Sequence, residues 1–486
     1  MTSTSVRLPY RPRRTRTAVV ADDRTVAHWG MAFALIIIVA WTTSVLVGFA
    51  LPFKLLVLVG FAAMMIGIRL PAVGLMGITI LCVSDAPARV YIMTGGLFRW
   101  NSFNYALLFV ALIAAPTLLR VRDPHTRLLQ LLLLTLGWGL LVTPDLAEGE
   151  QQMIAAVSAM GLLYYTLRAA PSREAWYWAG FNGVLMAAAM GLSYYVHRNQ
   201  LPGINANAWA LSLVGGLVAA CFASVAAGRR RLRQIGILAV ASVVLVSIFL
   251  SGSRGSLLIG LFCVFVMMLI LPSVPMRAFA IAIGAVIAAV SIARFGDLEA
   301  NSLHRIRKML TREHDLSGDY SLSARTNGRS ELMMGGIYMF RHQPMGVGTG
   351  GFDIAWRDLP LEAGVSFKRG REFSAHSGWI KVLAENGVVG ITLLMAWVAS
   401  FYLVARRRRE RILRLLGVLT TGVLGLALLS TEFQSKPLWF LVCGFTALVY
   451  AAPWLRAPGS VLPGGGAAPR REAPPLPPLD ARSGYR

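Results

Sequence analysis

The sequence predicts an all-α polytopic integral membrane protein with about 12–14 transmembrane helices, and three observations support this fold class. Of the 486 residues, 56% are hydrophobic and only 14% are charged, and the mean hydropathy is +0.60. Apolar runs close to the length of a bilayer crossing recur along the chain, and arginines collect in alternate connections between them. This composition excludes a cytosolic enzyme, a secreted disulfide scaffold and an intrinsically disordered chain.

The apolar runs give the order of the predicted spans. A crossing needs about 20 apolar residues, with about 17 as a lower limit. The span that begins at residue 378 is expected to start as a separate short helix before Asn386 and Gly387. The predicted spans cover residues 29–50, 53–68, 71–86, 103–119, 128–144, 152–167, 175–195, 208–227, 235–251, 255–271, 278–294, 378–404, 412–430 and 438–453.

The net charge of +24 predicts the orientation of the chain. With a cytoplasmic N-terminus, threading the spans puts most of the basic connections on the same side, as the positive-inside rule requires. The charge is thereby accounted for by topology, and no nucleic-acid partner is expected. The run 406–409 is expected to lie beside anionic headgroups. The cytoplasmic set is Arg7, Arg11, Arg13, Arg14, Arg16, Arg24, Arg69, Arg120, Arg122, Arg127, Arg168, Arg173, Arg229–Arg233, Arg277 and Arg406–Arg414.

Spans and charges together predict five regions. They are a basic cytoplasmic N-terminus (1–28), transmembrane helices 1–11 (29–294), a periplasmic loop domain (295–375), transmembrane helices 12–14 (376–453) and a disordered cytoplasmic tail (454–486). The loop is too long for an idle connector, so any chemistry is expected there first.

Several common catalytic motifs are missing. The chain has no GxxxxGK[ST], no HExxH and no CxxC, and its four cysteines lie inside apolar runs as expected of buried core residues. The segment 346–351 contains GxGxxG but neither follows a strand nor opens a βαβ unit. It is interpreted as a glycine loop that lets two backbones approach closely. The sequence predicts no cofactor and no metal.

Two arginines at the outer face are candidate ligands for an anion. Arg254 lies in the segment Ser251-Gly-Ser253-Arg-Gly-Ser, where small residues leave room for a phosphate and a guanidinium can bind it through two hydrogen bonds. Arg198 lies in the polar connection that leads to Asn207. The alternatives left open are an interfacial arginine that snorkels to the membrane surface and, for Arg198, an ordinary polar loop.

His376 is the candidate general base. It stands where the long loop re-enters the membrane, at the level where a lipid-borne substrate presents its headgroup, and imidazole titrates near neutrality. Earlier in the loop, the segment Asn327-Gly-Arg329-Ser-Glu331 begins a predicted helix that leads to the glycine loop.

The order of these motifs resembles the O-antigen ligase and polymerase superfamily. The resemblance covers about residues 194–391 and rests on SGSRG, NGRSE, HQPMGVGTGGF and AHSGWIKVLAENGVVG. It implies a membrane glycosyltransferase of GT-C type, metal-independent and inverting, that acts at the outer face of the bacterial inner membrane. Its donor would be an undecaprenyl-diphosphate-linked glycan. The expected partners also include an acceptor glycan or lipid A-core, membrane lipids and other polysaccharide-assembly proteins.

The resemblance also implies roles for individual residues. His376 would be catalytic, and Arg254 and Arg198 would bind the donor diphosphate. Arg329, Ser253 and Asn207 are candidate substrate-binding residues. The sequence leaves two other functions open, namely a transporter or flippase of lipid-linked oligosaccharide and a non-catalytic scaffold of an envelope complex.

Overall fold

A computed structural model describes residues 22–47, 50–84, 102–118, 123–196, 206–251, 253–271, 329–363, 365, 374–431 and 435–455. Within these ranges the regular structure is helical. Most of the predicted N-terminal arm, Arg198, the predicted span 278–294 and almost all of the predicted tail lie outside them. The helices are α1 (Asp23–Val47), α2 (Ala50–Ile66), α3 (Pro71–Val83), α4 (Ser102–Leu118), α5 (Pro124–Gly139), α6 (Leu146–Ala169), α7 (Arg173–Val196), α8 (Ala206–Ala227), α9 (Arg231–Ser251), α10 (Arg254–Ile270), α11 (Arg329–His342), α12 (Phe352–Arg357), α13 (Gly378–Arg406), α14 (Arg411–Ala427) and α15 (Lys436–Ala451).

The helices agree with the predicted membrane class. Each predicted span other than 278–294 coincides with one of them, while α11 and α12 belong to the predicted loop domain. By length and composition, the described helices that could cross a membrane are Asp23–Leu46, Trp209–Ala227, Arg231–Ser251 and Gly378–Arg406. Shorter apolar helices accompany them, among them Gly255–Ile270 and Lys436–Ala451.

Helix α8 forms the centre of the bundle, because the segment Trp209–Ala227 is buried throughout. Small residues allow α7 to approach it closely: a Cβ at Gly180 would meet Ala223, and a Cβ at Gly216 would meet Ala187. Helix pairs in membranes depend on such close packing, because the hydrophobic effect does not favour helix association within lipid. The four cysteines are buried, as predicted, and they form no disulfide bonds.

One end of the bundle gathers basic side chains. Glu174 accepts hydrogen bonds from Arg230 (2.8 Å) and Arg233 (2.6 Å). The Arg411 guanidinium donates to the Leu269 carbonyl (3.4 Å), and the Arg408 guanidinium lies over the Tyr450 ring. We call this the basic end. It lies where α8, α10 and α13 finish, opposite their first turns.

A second, smaller apolar core lies on the bundle. Leu332 and Met339 of α11 pack with Phe352 and Trp356 of α12 and with the start of α13. Glycines bring these helices together, since a Cβ at Gly335 would overlap the Trp356 ring. The described part of the predicted loop domain, residues 329–363, 365 and 374–375, is therefore folded against the membrane helices.

Helix α13 is two helices joined at a kink. Gly387 has φ 61° and ψ −154°, a conformation essentially restricted to glycine. The kink separates a short helix (378–386) from a long one (388–406). This confirms the prediction that the span begins as a separate short helix before Asn386 and Gly387.

The glycine loop 346–351 is held against this kink. The N–H groups of Val347 and Gly348 donate to the carbonyls of Ala384 (2.9 Å) and Glu385 (3.0 Å). On its other side the Thr349 N–H donates to the Gly139 carbonyl (3.2 Å) at the end of α5. Gly346, Gly348 and Gly350 all have positive φ. The prediction of a loop built for close backbone approach is confirmed.

Candidate functional site

The turn that follows α14 anchors the segment that carries His376. The Gly378 N–H donates to the Thr431 carbonyl (2.8 Å), and the Trp379 N–H donates to the Leu428 carbonyl (3.4 Å). The Ser377 hydroxyl donates to the same Leu428 carbonyl (3.1 Å). Backbone and side chain thus fasten the first turn of α13 to residues 428–431.

His376 stands immediately before this fastened turn. It is exposed, and its φ is +50°. A non-glycine residue with positive φ is uncommon, although histidine is among the side chains found there more often. The hydrogen bonds of Ser377 and Gly378 hold the chain on the C-terminal side of this conformation. The imidazole is therefore presented at the surface on an anchored backbone.

The SGSRG segment meets the same turn. A Cβ at Gly255 would lie 3.0 Å from the Ser430 hydroxyl, so the SGSRG segment and the turn 428–431 are almost in contact. Ser253 is the residue that precedes α10; it is buried, and its hydroxyl donates to that of Ser256 (3.1 Å). Arg254 is the first residue of α10. We call residues 253–255, 376–379 and 428–431 the rim site.

Helix α11 begins beside the rim site. Gly336 of α11 faces Ile380 of α13. Eight residues further along each of the two segments, the Val388 N–H donates to the Pro344 carbonyl (3.0 Å). The two helices therefore run side by side in the same direction, and residue 332 is level with His376. Consistent with this register, Leu332 and Ala375 share the smaller core. Arg329, the first residue of α11, begins at the level of the rim site.

Asn207 lies close to the same level. Leu217 of α8 packs on Gly260 of α10, and the Cys221 thiol donates to the Cys263 carbonyl (3.5 Å), so these helices are also parallel. Their register places Asn207 about 6 Å further outward than Arg254. Helix α8 begins at Ala206, so exposed Asn207 is helical and not part of the connection in which it was predicted.

Several helices begin at this end of the bundle. Helices α10 and α13 begin at the rim site, α11 begins at its level and α8 begins about one turn further outward, and helix N-termini carry partial positive charge and unpaired N–H groups. A phosphate group beside several such turns is stabilised by their dipoles as well as by any arginine. The backbone of Ser253, Arg254 and His376 lies at the turn 428–431, whereas Arg329 begins α11 at the same level and Asn207 lies about one turn further outward along α8. Arg198 is outside the described residues.

Comparison with known proteins identifies part of this region. Residues 239–395 match the family model described as O-antigen ligase. The match confirms the predicted resemblance. No curated protein matches the chain. The matched segment contains Ser253, Arg254, Arg329 and His376, whereas Asn207 precedes it.

The match defines the activity in general terms. It supports an activity of the O-antigen ligase and polymerase type, carried out by a glycosyltransferase-like membrane enzyme. Lipid-linked glycan and an acceptor are the substrates that such a family implies. The identity of the donor, that of the acceptor and the stereochemistry of transfer lie beyond the match.

Two features of the site could not be read from the sequence motifs. The turn 428–431 appeared only as the end of an apolar run. Lys381 of α13 is buried, and its Nζ lies 3.8 Å from Oε1 of Glu148 at the start of α6. A lysine within a predicted membrane span was the available signal for the ion pair, because charged residues in a membrane are costly and usually functional.

Proposed function

We propose that the protein transfers glycan from an undecaprenyl-diphosphate-linked donor to a saccharide acceptor at the outer face of the inner membrane. The observation that carries this proposal is the meeting of SGSRG and AHSGW on the turn 428–431, with the NGRSE helix starting beside them. SGSRG and AHSGW are far apart in sequence, and their proximity in the fold would allow both to contact one substrate.

The donor diphosphate would be bound by Arg254 and Arg198. A guanidinium binds phosphate oxygens through two hydrogen bonds, and the start of α10 adds its dipole at Arg254. Ser253, Arg329 and Asn207 would contact the rest of the substrate. Neutralising charge on the diphosphate as it departs is the main catalytic requirement, because the leaving group is already a weak base.

His376 would activate the acceptor. Its imidazole removes the proton from a sugar hydroxyl, whose oxygen attacks the anomeric carbon from the side opposite the diphosphate. The bond between that carbon and the diphosphate oxygen breaks as the new glycosidic bond forms, and the anomeric configuration inverts. Arginines take the part that a divalent metal takes in other diphosphate reactions, so the transfer is proposed to be metal-independent.

The difference between the two ends of the bundle supports the proposed orientation. With the basic end in the cytoplasm, the rim site faces the periplasm and both termini are cytoplasmic. We retain the GT-C class, about 12–14 spans and the region boundaries 1–28, 29–294, 295–375, 376–453 and 454–486 as part of the proposal.

Deleting the gene and complementing it with wild-type or His376→Asn protein tests the function. Loss of polysaccharide chain length on deletion indicates a polymerase, and loss of attachment with intact lipid-linked polymer indicates a ligase. In both cases the variant should fail to complement at a normal protein level. Full complementation by the variant would exclude His376 as the general base. Accumulation of donor on the cytoplasmic side would instead favour a flippase.

A further inference from the structure

Glu148 and Lys381 form an ion pair at the edge of the rim site. The Lys381 side chain is 6% exposed and that of Glu148 is 35% exposed, and their charged atoms are 3.8 Å apart. Buried Gln152 donates to the same Glu148 oxygen (3.1 Å), and the Glu148 N–H is capped by Asp145 (3.0 Å). Contacts within α6 therefore hold the Glu148 carboxylate and its backbone in place beside the lysine.

The short helix 378–386 is also held by contacts at its two ends. Ser377 and Trp379 bind the end of α14, Ile380 packs on Gly336 of α11, and the carbonyls of Ala384 and Glu385 accept from the glycine loop. These contacts restrain the helix at its two ends. The ion pair adds a lateral contact from α6 to Lys381, which lies between those two ends.

We propose that Glu148 is a positioning residue for His376, acting through Lys381 to set the rotation of the short helix. This inference rests on the proposed function for its catalytic consequence. Two physical points support it. The Lys381 end of the ion pair is almost fully buried, so solvent weakens the pair less than it weakens a pair in which both partners are exposed. The short helix also ends at the Gly387 kink, where the regular backbone that would tie its rotation to the long helix 388–406 is interrupted.

Glu148 lies in a part of the chain that carries none of the predicted site residues. Glu148 precedes the matched segment 239–395 and lies in α6, whereas Arg254, Arg329 and Asn207 lie in α10, α11 and α8. A residue of α6 would thus control a reaction carried out by residues of another part of the chain.

Hydrogen exchange tests positioning without any assay of activity. Purified full-length Glu148→Gln and Lys381→Met proteins should exchange the amides of residues 377–386 at least about fivefold faster than wild type, because local opening becomes easier. Peptides from buried α8 should be unchanged. The control is Glu150→Gln, an exposed acid near Glu148 in α6. Wild-type exchange at 377–386 in both variants would overturn the proposal.

Kinetics of glycan transfer test the consequence. In Glu148→Gln and Lys381→Met, kcat should fall at least about tenfold while KM for the donor changes less than about twofold. The double variant should be no worse than either single one, because the pair acts as a unit, and Lys381→Arg should retain most of the rate. Additive losses, or a rise in KM at unchanged kcat, would overturn positioning.

The two proposals fail in different ways. If wild-type protein transfers no glycan, the proposed function fails while the exchange result still decides whether the pair orders the helix. If wild-type protein is active, His376→Asn is inactive and Glu148→Gln matches wild type, positioning by Glu148 fails and the proposed function stands.

Discussion

At the level of single residues, His376 is exposed and has a positive φ. Because asparagine also tolerates positive φ, His376→Asn keeps the conformation and removes only the base. We expect glycan transfer to fall on the order of 10²–10⁴-fold, the usual contribution of general acid–base catalysis. Transfer by purified protein is the measurement, with thermal stability within a few degrees of wild type as the control. A variant that transfers at the wild-type rate would exclude His376 as the base.

Arg254 allows a test of geometry against charge. Lysine at this position keeps the positive charge at the start of α10 but cannot form the paired hydrogen bonds of a guanidinium. We expect Arg254→Lys to lower kcat/KM at least about tenfold, since charge-assisted bonds to phosphate are among the stronger ones. Exposed Arg409 at the basic end provides the matched control, and Arg409→Lys should be neutral. Full activity of Arg254→Lys would mean that charge alone suffices.

If arginines balance the diphosphate charge, chelators should not matter. We expect EDTA to leave the initial rate of purified protein within about twofold of the untreated rate, because the electrostatic stabilisation comes from fixed side chains. Strong inhibition that magnesium reverses would contradict metal-independent transfer.

At the level of elements, the kink in α13 and the glycine loop depend on each other. A Cβ at Gly387 would overlap the Pro344 carbonyl oxygen and press on Met345, and the φ and ψ there suit only glycine. Backbone strain of this kind costs about 1–3 kcal/mol before any steric overlap is counted. We expect Gly387→Ala to lower the thermal midpoint by several degrees and to impair transfer.

Gly425 is the matched control for that change. It lies in α14, and no atom lies within 4 Å of the place that an added Cβ would occupy, so Gly425→Ala should be neutral or slightly stabilising. Equal midpoints for Gly387→Ala and wild type would contradict a kink that requires glycine.

Local elements were predictable, whereas their meeting points were not. The Gly387 break and the glycine loop follow from residues with special backbone freedom, and apolar runs give the helix order. An apolar run does not encode its neighbour, however, so the contact of Gly255 with Ser430 could not be foreseen. Glu148 likewise resembles an ordinary surface acid until its distance to Lys381 is known.

At the level of the whole molecule, the two ends of the bundle differ in chemistry. Arginines and their partners gather at the basic end, and the rim site lies where α8, α10 and α13 begin. The proposed orientation puts the basic end in the cytoplasm, as the positive-inside rule favours. In that orientation the membrane would separate the arginine cluster of residues 406–411 from the glycine loop, and each would be reached from one side only.

This polarity predicts which residues can be labelled from outside the cell. Met345 is 69% exposed beside the glycine loop, and Arg409 is exposed at the basic end. A membrane-impermeant thiol reagent should label Met345→Cys in intact spheroplasts and Arg409→Cys only after permeabilisation. Background labelling should be low, because the native cysteines are buried. Labelling of Arg409→Cys in intact spheroplasts would place the rim site in the cytoplasm, where no periplasmic transfer could occur.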